Sequence, residues 1–297
     1  CKKINLFFED KKKISNFFNF KEKNKNLMYI FQNKNLKKNL YKIISLTKKI
    51  KLIKKKIVNI NNEGGYITSG KTKKFYDLII LSTGGRSKLY SVIDEGRSIQ
   101  KNYREIAITA IVKHNVKIEN VSQFFLKEGP LAILPFQKKA FSIVWSVNSE
   151  FFEINKKKIK KILGTKLRML LKHKSIKNII NIQWFPINLS LNTKYFKKNI
   201  LILGDGLHTV HPMAGQGFNL VLRDIKKLSE LMTKTLKLGL TIKNSFILKD
   251  FYNSRKPENN LFGIGINLTN IFFKEKNYFS VFRKTLLYNI NNFKFIK

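Results

Sequence analysis

The stretch that most constrains how this chain can fold is 200–224, ILILGDGLHTVHPMAGQGFNLVLRD. A continuous apolar run, Ile200 to Leu203, enters Gly204-Asp205-Gly206, and a second glycine-rich turn, Gly215-Gln216-Gly217, opens a predicted helix that runs from about Gly217 to Leu236. A buried strand that ends in small residues and then feeds a helix belongs to an α/β sheet, where ligands are received at the strand ends. Gly204 and Gly206 let the backbone come close to a ligand, and Asp205 offers a carboxylate to hydroxyls such as those of a ribose or polyol chain. Pro212 fixes the chain ahead of the helix. Gly215, Gln216 and Gly217 leave N–H groups unobstructed where the helix dipole is positive, which suits an anion or a polarised carbonyl.

Around this segment the pattern is mixed. YDLIILSTGG supplies a second buried strand, Leu78 to Leu81, that runs into a small-residue loop at Ser82–Gly85. Runs at 106–112, 131–136 and 141–147 are β-rich and separated by turns, so they predict an antiparallel sheet, with a further strand near 181–186. Residues 56–60 and 66–68 flank Asn61-Asn62-Glu63-Gly64-Gly65 and read as a hairpin. Helical spacing appears at 36–50 and at about 155–173. The C-terminal part reads as helices with Phe262, Ile266, Leu268, Ile271, Phe272, Phe279 and Phe282 as apolar positions.

Charge sets a second constraint. The chain carries 59 Lys+Arg against 18 Asp+Glu, a net +41, which raises the question of nucleic acid. Seven of the basic residues are Arg, whereas reading of bases depends on Arg forks, and the Lys are spread along the whole chain. Specific nucleic-acid binding is therefore not expected. The single cysteine, Cys1, excludes an internal disulfide and a Cys-rich metal site. His208 and His211 stand three apart near Asp205 without a third and fourth ligand, so no metal is expected. No Gly-x-Ser-x-Gly elbow occurs, and no apolar run approaches the roughly 18 residues of a spanning helix.

The 200–224 segment resembles the second flavin-binding motif of FAD-dependent aromatic hydroxylases, in the ubiquinone-biosynthesis (polyprenyl-phenol) branch, whose pattern is similar to G-D-A-A-H-x-x-H-P-x-A-G-Q-G-x-N-L-G-L-x-D. The resemblance implies that Gly204 and Asp205 meet the FAD ribityl chain and that Pro212, Gly215, Gln216, Gly217 and Asn219 border the pyrimidine side of the ring. Gly206-Leu207 replace two Ala of the pattern, and Val221 replaces a Gly. EGPLAILPF at 128–136 and SIVW at 142–145 look like the family's substrate-domain strands, and FYNSRKP at 251–257 looks like its Tyr-x-x-Arg helix. Residues 26–40 are similar to a segment in which Asn33 takes a position that faces the flavin. LIILSTGGRSKLY resembles the family's Ala-Asp-Gly-x-x-Ser-x-x-Arg motif, keeping Gly84 and Ser87, with Thr83 in place of Asp and Tyr90 in place of Arg.

The resemblance implies an α/β, FAD-dependent aromatic-hydroxylase (PHBH-like) fold. Its expected parts are 1–100 as the remaining part of a Rossmann-like FAD domain, 101–190 as an antiparallel-sheet substrate domain, 191–250 as a returning FAD-binding segment and 251–297 as C-terminal helices. The G-x-G-x-x-G fingerprint that seats the FAD pyrophosphate does not occur, so the first βαβ unit, roughly a quarter of a full enzyme, is expected to lie upstream of Cys1. The implied activity is hydroxylation of a polyprenyl-phenol ring with O2 and reduced FAD, with NAD(P)H or another electron donor as co-substrate and no acid–base side chain assigned. The expected location is cytoplasmic, with peripheral contact at the inner membrane and with other ubiquinone-biosynthesis proteins as partners. The alternatives are an inactive remnant, one subunit of a split flavoprotein, or a basic protein that binds RNA or a membrane surface.

Overall fold

A computed structural model describes residues 1–273 except 11–12, 56, 58, 62–64, 70–71, 85–86, 94–97, 116, 173–175, 213–214 and 244–245. The chain divides into two compact units, one of Cys1–Leu52, Arg104–Ile187 and Asn270–Lys297, the other of Ile53–Tyr103 and Asn188–Thr269.

The first unit is built on a sheet of β1 (Lys3–Asp10), β2 (Lys13–Lys21), β7 (Ser98–His114), β8 (Val121–Leu126), β9 (Gly129–Gln137), β10 (Ala140–Asn148) and β11 (Ile176–Asn192), in the order β11-β7-β10-β9-β8-β1-β2. The pairs β7–β10, β10–β9 and β9–β8 are antiparallel, as the alternating pattern predicts. β1 then adds in parallel to β8 and turns back antiparallel as β2. That pairing groups residues 1–52 with 104–187, whereas the sequence reading groups them with 53–100.

Alternation explains why this sheet holds a core. In β10, Phe141, Ile143, Trp145 and Val147 fall two apart, and all four are buried. They pack with Ile108, Leu131, Ile133 and Phe152, and with Ile159, Leu163 and Leu167, which repeat every four residues on α3 (Ile159–Leu170). A short helix, α2 (Ser149–Asn155), precedes α3; its N-cap Asn148 side chain accepts the Glu150 N–H at 2.8 Å. The helix predicted over 36–50 forms as α1 (Asn33–Leu46), and none of its residues is buried.

The second unit contains an antiparallel set, β3 (Asn59–Ile60), β4 (Tyr66–Ser69) and β5 (Thr72–Phe75), which realises the expected hairpin and extends it by a strand. It also contains β6 (Ile79–Leu81), β12 (Phe196–Lys197) and β13 (Ile200–Ile202) in the order β12-β13-β6, with β6 and β13 parallel. Ile200, Leu201 and Ile202 are fully buried, the burial expected of a parallel strand covered on both faces. β14 (His208–Thr209) pairs with the end of β11 at Ser190 and Leu191. Two helices complete the unit, α4 (Gln216–Lys237) and α5 (Phe246–Phe273). Leu220, Asp224 and Leu228 form the buried stripe of α4, while Ile247, Phe251, Arg255 and Asn259 form that of α5. Phe279 and Phe282, expected on C-terminal helices, lie outside the described residues.

Candidate functional site

β6 and β13 run side by side, so the segments leaving their C-terminal ends are neighbours: the Leu203 N–H donates to the Leu81 carbonyl at 2.9 Å. This is the position at which open α/β sheets receive ligands. Beyond β13 the chain makes one 3-10 turn over Gly204-Asp205-Gly206, closed by the Leu207 N–H on the Gly204 carbonyl at 2.9 Å. Gly204 has φ +85°, which disfavours any other residue there, and a side chain added to it would meet nothing within 4 Å among the described residues. Space is therefore open beside the turn.

Asp205 is exposed, and no side-chain partner for it appears among the described residues. Its backbone is held instead, since the Thr209 hydroxyl donates to the Asp205 carbonyl at 3.1 Å. Gly206 is fixed from the other side: the Asn192 side-chain amide donates to its carbonyl at 2.7 Å. A fixed turn thus presents a free carboxylate into open space, which fits a chain of ligand hydroxyls.

α4 begins close by in sequence. Pro212 starts a turn closed by the Gly215 N–H on its carbonyl at 3.1 Å, and Gly215 is the N-cap at φ +63°, a left-handed position that glycine occupies without strain. Among the described residues no side chain caps this end, which leaves the first-turn N–H groups of Gln216 and Gly217 available. Among the described residues nothing lies within 4 Å of a side chain added at Gly215, and Asn219 is exposed one turn on. An open, uncapped N-terminus of a 22-residue helix suits a polarised carbonyl or an anionic ring edge. The expected residues Gly204, Asp205, Pro212, Gly215, Gln216, Gly217 and Asn219 all fall in the second unit. Asn33, the first residue of α1, falls in the first.

Behind the turn lies a network of buried polar groups. Asp224, fully buried on α4, accepts from Arg255 Nε at 2.6 Å through Oδ1 and lies 2.6 Å from His208 Nε2 through Oδ2. Arg255 also donates to Asn259 Oδ1 at 2.9 Å and to Glu258, and Asn259 Nδ2 donates to the Tyr195 hydroxyl at 3.2 Å. Burial pushes the Tyr195 phenol up to about 12. A carboxylate in the core is tolerated because a guanidinium and an imidazole satisfy it. The network ties α5 to α4 and both to His208, two residues past the turn. His208 thereby acquires a carboxylate partner, and among the described residues no group of three or more His, Cys, Asp or Glu could hold a metal. The sequence reading names none of Asp224, Arg255, Asn259 and Tyr195 as site residues. The available signal was an Asp and an Arg at buried positions of their helical stripes.

A family model for the FAD binding domain matches residues 84–239, more than half of the chain. The chain belongs to this FAD-binding-domain family. Its curated relatives include the ubiquinone biosynthesis monooxygenase COQ6 of Dictyostelium discoideum, 28% identical over 232 residues that cover 61% of this chain and 46% of the relative. The ubiquinone hydroxylase UbiL of Rhodospirillum rubrum is 26% identical over 192 residues, covering 61% and 43%. The chain thus spans about half the length of the curated relatives it matches. Among solved structures, PqsL from Pseudomonas aeruginosa, a probable FAD-dependent monooxygenase, superposes with a TM-score of 0.73 at 14% identity, covering 97% of this chain and 81% of that one. The p-nitrophenol 4-monooxygenase PnpA from Pseudomonas putida gives 0.65 at 13% identity, covering 80% and 62%. The fold is that of the FAD-dependent aromatic hydroxylases, as the motif resemblance implies.

Proposed function

We propose that this chain carries the ribityl- and ring-holding part of an FAD-dependent monooxygenase that hydroxylates a polyprenyl-phenol ring in ubiquinone biosynthesis. The observation that carries this reading is the fixed Gly204-Asp205-Gly206 turn, with its carboxylate free beside open space. In this reading Gly204 and Asp205 hold the ribityl hydroxyls, while the N–H groups of Gln216 and Gly217, with Pro212, Gly215 and Asn219, border the ring. Bound FAD supplies the oxygen chemistry, with O2 and NAD(P)H or another donor as co-substrates. The chain's own residues bind and orient the ring system and keep water from it; no side chain is assigned a proton-transfer role. The names of the ubiquinone-biosynthesis relatives support the substrate class. The test is turnover by the full-length enzyme with FAD and a reductant, comparing a polyprenyl phenol with the same phenol lacking its tail. Tail-dependent hydroxylation is expected, and preferred turnover of the tail-less phenol contradicts the assignment.

A polyprenyl substrate resides in the bilayer, so the reading includes peripheral membrane contact. Among the described residues no helix is long and apolar enough to cross a membrane. On α1 and the residues after it, Leu40, Ile43, Leu46, Ile50 and Leu52 are exposed between Lys37, Lys38, Lys42, Lys48, Lys49 and Lys51. Such interleaving suits an anionic lipid surface, each basic residue contributing about 1 kcal/mol. Co-sedimentation with anionic but not neutral vesicles, weakened when Leu40, Ile43 and Leu46 become Ser, is the expected result. Equal sedimentation of that variant assigns the attraction to net charge alone.

A further inference from the structure

We propose that Tyr90 is a positioning residue for the Gly204-Asp205-Gly206 turn, acting as one unit with Thr83 and Gly206; the proposal rests on the flavin reading above. Tyr90 lies in a 3-10 turn over Lys88–Val92, anchored where the Ser87 hydroxyl accepts the Leu89 N–H at 3.3 Å. Tyr90 is 8% exposed. Its hydroxyl accepts the Thr83 N–H at 3.2 Å and so ties the segment leaving β6 to the Tyr90 turn. The end of the same ring fills the place a side chain at Gly206 would need: an added Cβ would collide with Tyr90 Cζ and Oη and with Ile202 Cγ2. The missing side chain at 206 and the presence of Tyr90 are therefore one packing solution.

These three positions are also three at which the chain leaves the family pattern, with Thr83 for Asp, Tyr90 for Arg and Gly206 for Ala. They meet in a single cluster, in which the Tyr90 ring sits between the segments leaving β6 and β13 and takes up Thr83 through its backbone N–H. Gly206 is then held by Tyr90 on one side and by Asn192 on its carbonyl, so Asp205 sits on a turn already shaped before any ligand arrives. A preformed turn does not have to be ordered on binding, and that difference appears as affinity. Buried tyrosine in this cluster thus acts on the ligand through the turn and without touching it.

The test is a double-mutant cycle in 1–297, reading riboflavin and FAD affinity by flavin fluorescence, the visible circular dichroism of the bound flavin, and the melting temperature without flavin. Gly206→Ala is expected to weaken riboflavin binding about tenfold in the Tyr90 background and by less than about threefold once Tyr90→Ala has made room, a non-additivity typical of residues in contact. Tyr90→Phe, which keeps the wedge and loses only the Thr83 acceptor, is expected to retain most of the affinity that Tyr90→Ala loses and to leave the flavin dichroism unchanged. Additive effects in the cycle overturn the proposal. Melting temperatures that change while affinity and dichroism do not assign Tyr90 a purely structural part and also overturn it. Wild-type protein that binds neither flavin, with coupling still present in the melting temperatures, overturns the flavin reading and with it the role of Tyr90 toward flavin; binding by wild type with additive variants overturns the Tyr90 proposal alone.

Discussion

Asp224→Ala is expected to destabilise the second unit by about 3–5 kcal/mol, because it strands a buried guanidinium and a buried imidazole without their shared carboxylate. Arg255 is 3% exposed and His208 2%, so water does not readily replace the lost partner. Asp224→Asn keeps the shape and two lone pairs and should lose less. Urea denaturation followed by circular dichroism measures both. A loss below about 1 kcal/mol for Asp224→Ala would show that the network relaxes and that the pair contributes no more than a surface bridge does. Asp224 bears on the stability of α4 and α5, whereas Asp205 is exposed on the turn itself.

Trp145→Ala should cost the first unit about 3–5 kcal/mol, the range for removing a large aromatic from a packed core. Trp145 is fully buried on β10 between the sheet and the helical cover, and its ring stands T-shaped to Phe151 with centroids 5.9 Å apart. Its indole N–H has no hydrogen-bond partner among the described residues. Trp145→Phe removes that unsatisfied donor, a relief of about 1–3 kcal/mol, and this offsets much of the lost ring volume. The expected order of stability in chemical denaturation is wild type, then Phe close behind, then Ala well below. Equal losses for Phe and Ala would mean that the indole is satisfied in solution.

What the sequence made legible, and what it did not, follows from the range of the interactions. β13 and the turn after it are readable because an unbroken apolar run ending in glycines has few other uses. β10 is readable because Phe141, Ile143, Trp145 and Val147 alternate. β1 and β2 are not, since Asn5, Asn16, Asn19 and several Lys interrupt their apolar pattern, and what makes them strands is the pairing of β1 with β8, distant in sequence, and of β2 with β1. The spacing of Leu36, Leu40, Ile43 and Ile44 predicts α1, but spacing cannot say whether a face is covered, and here none of the helix is buried. The site shows the same limit. Gly204 and Asp205 carry a local signal in their own turn. Asp224 meets Arg255 only after α5 packs on α4, and Thr83, Tyr90 and Gly206 read as three separate departures until the parallel pairing of β6 with β13 brings them together.

In the proposed function the turn after β13 holds a flavin through its ribityl chain. Riboflavin carries that chain and the ring but no pyrophosphate, so it tests this part of the site without requiring a G-x-G-x-x-G turn. Titrated into 1–297 and its Asp205→Ala variant, riboflavin is expected to bind the variant about 10- to 100-fold more weakly, the loss of a charged acceptor worth about 1.5–3 kcal/mol. Thermal melting without flavin should be the same for both, because the Asp205 side chain is exposed. Equal riboflavin affinity in the two proteins would contradict the claim and move the flavin away from this turn.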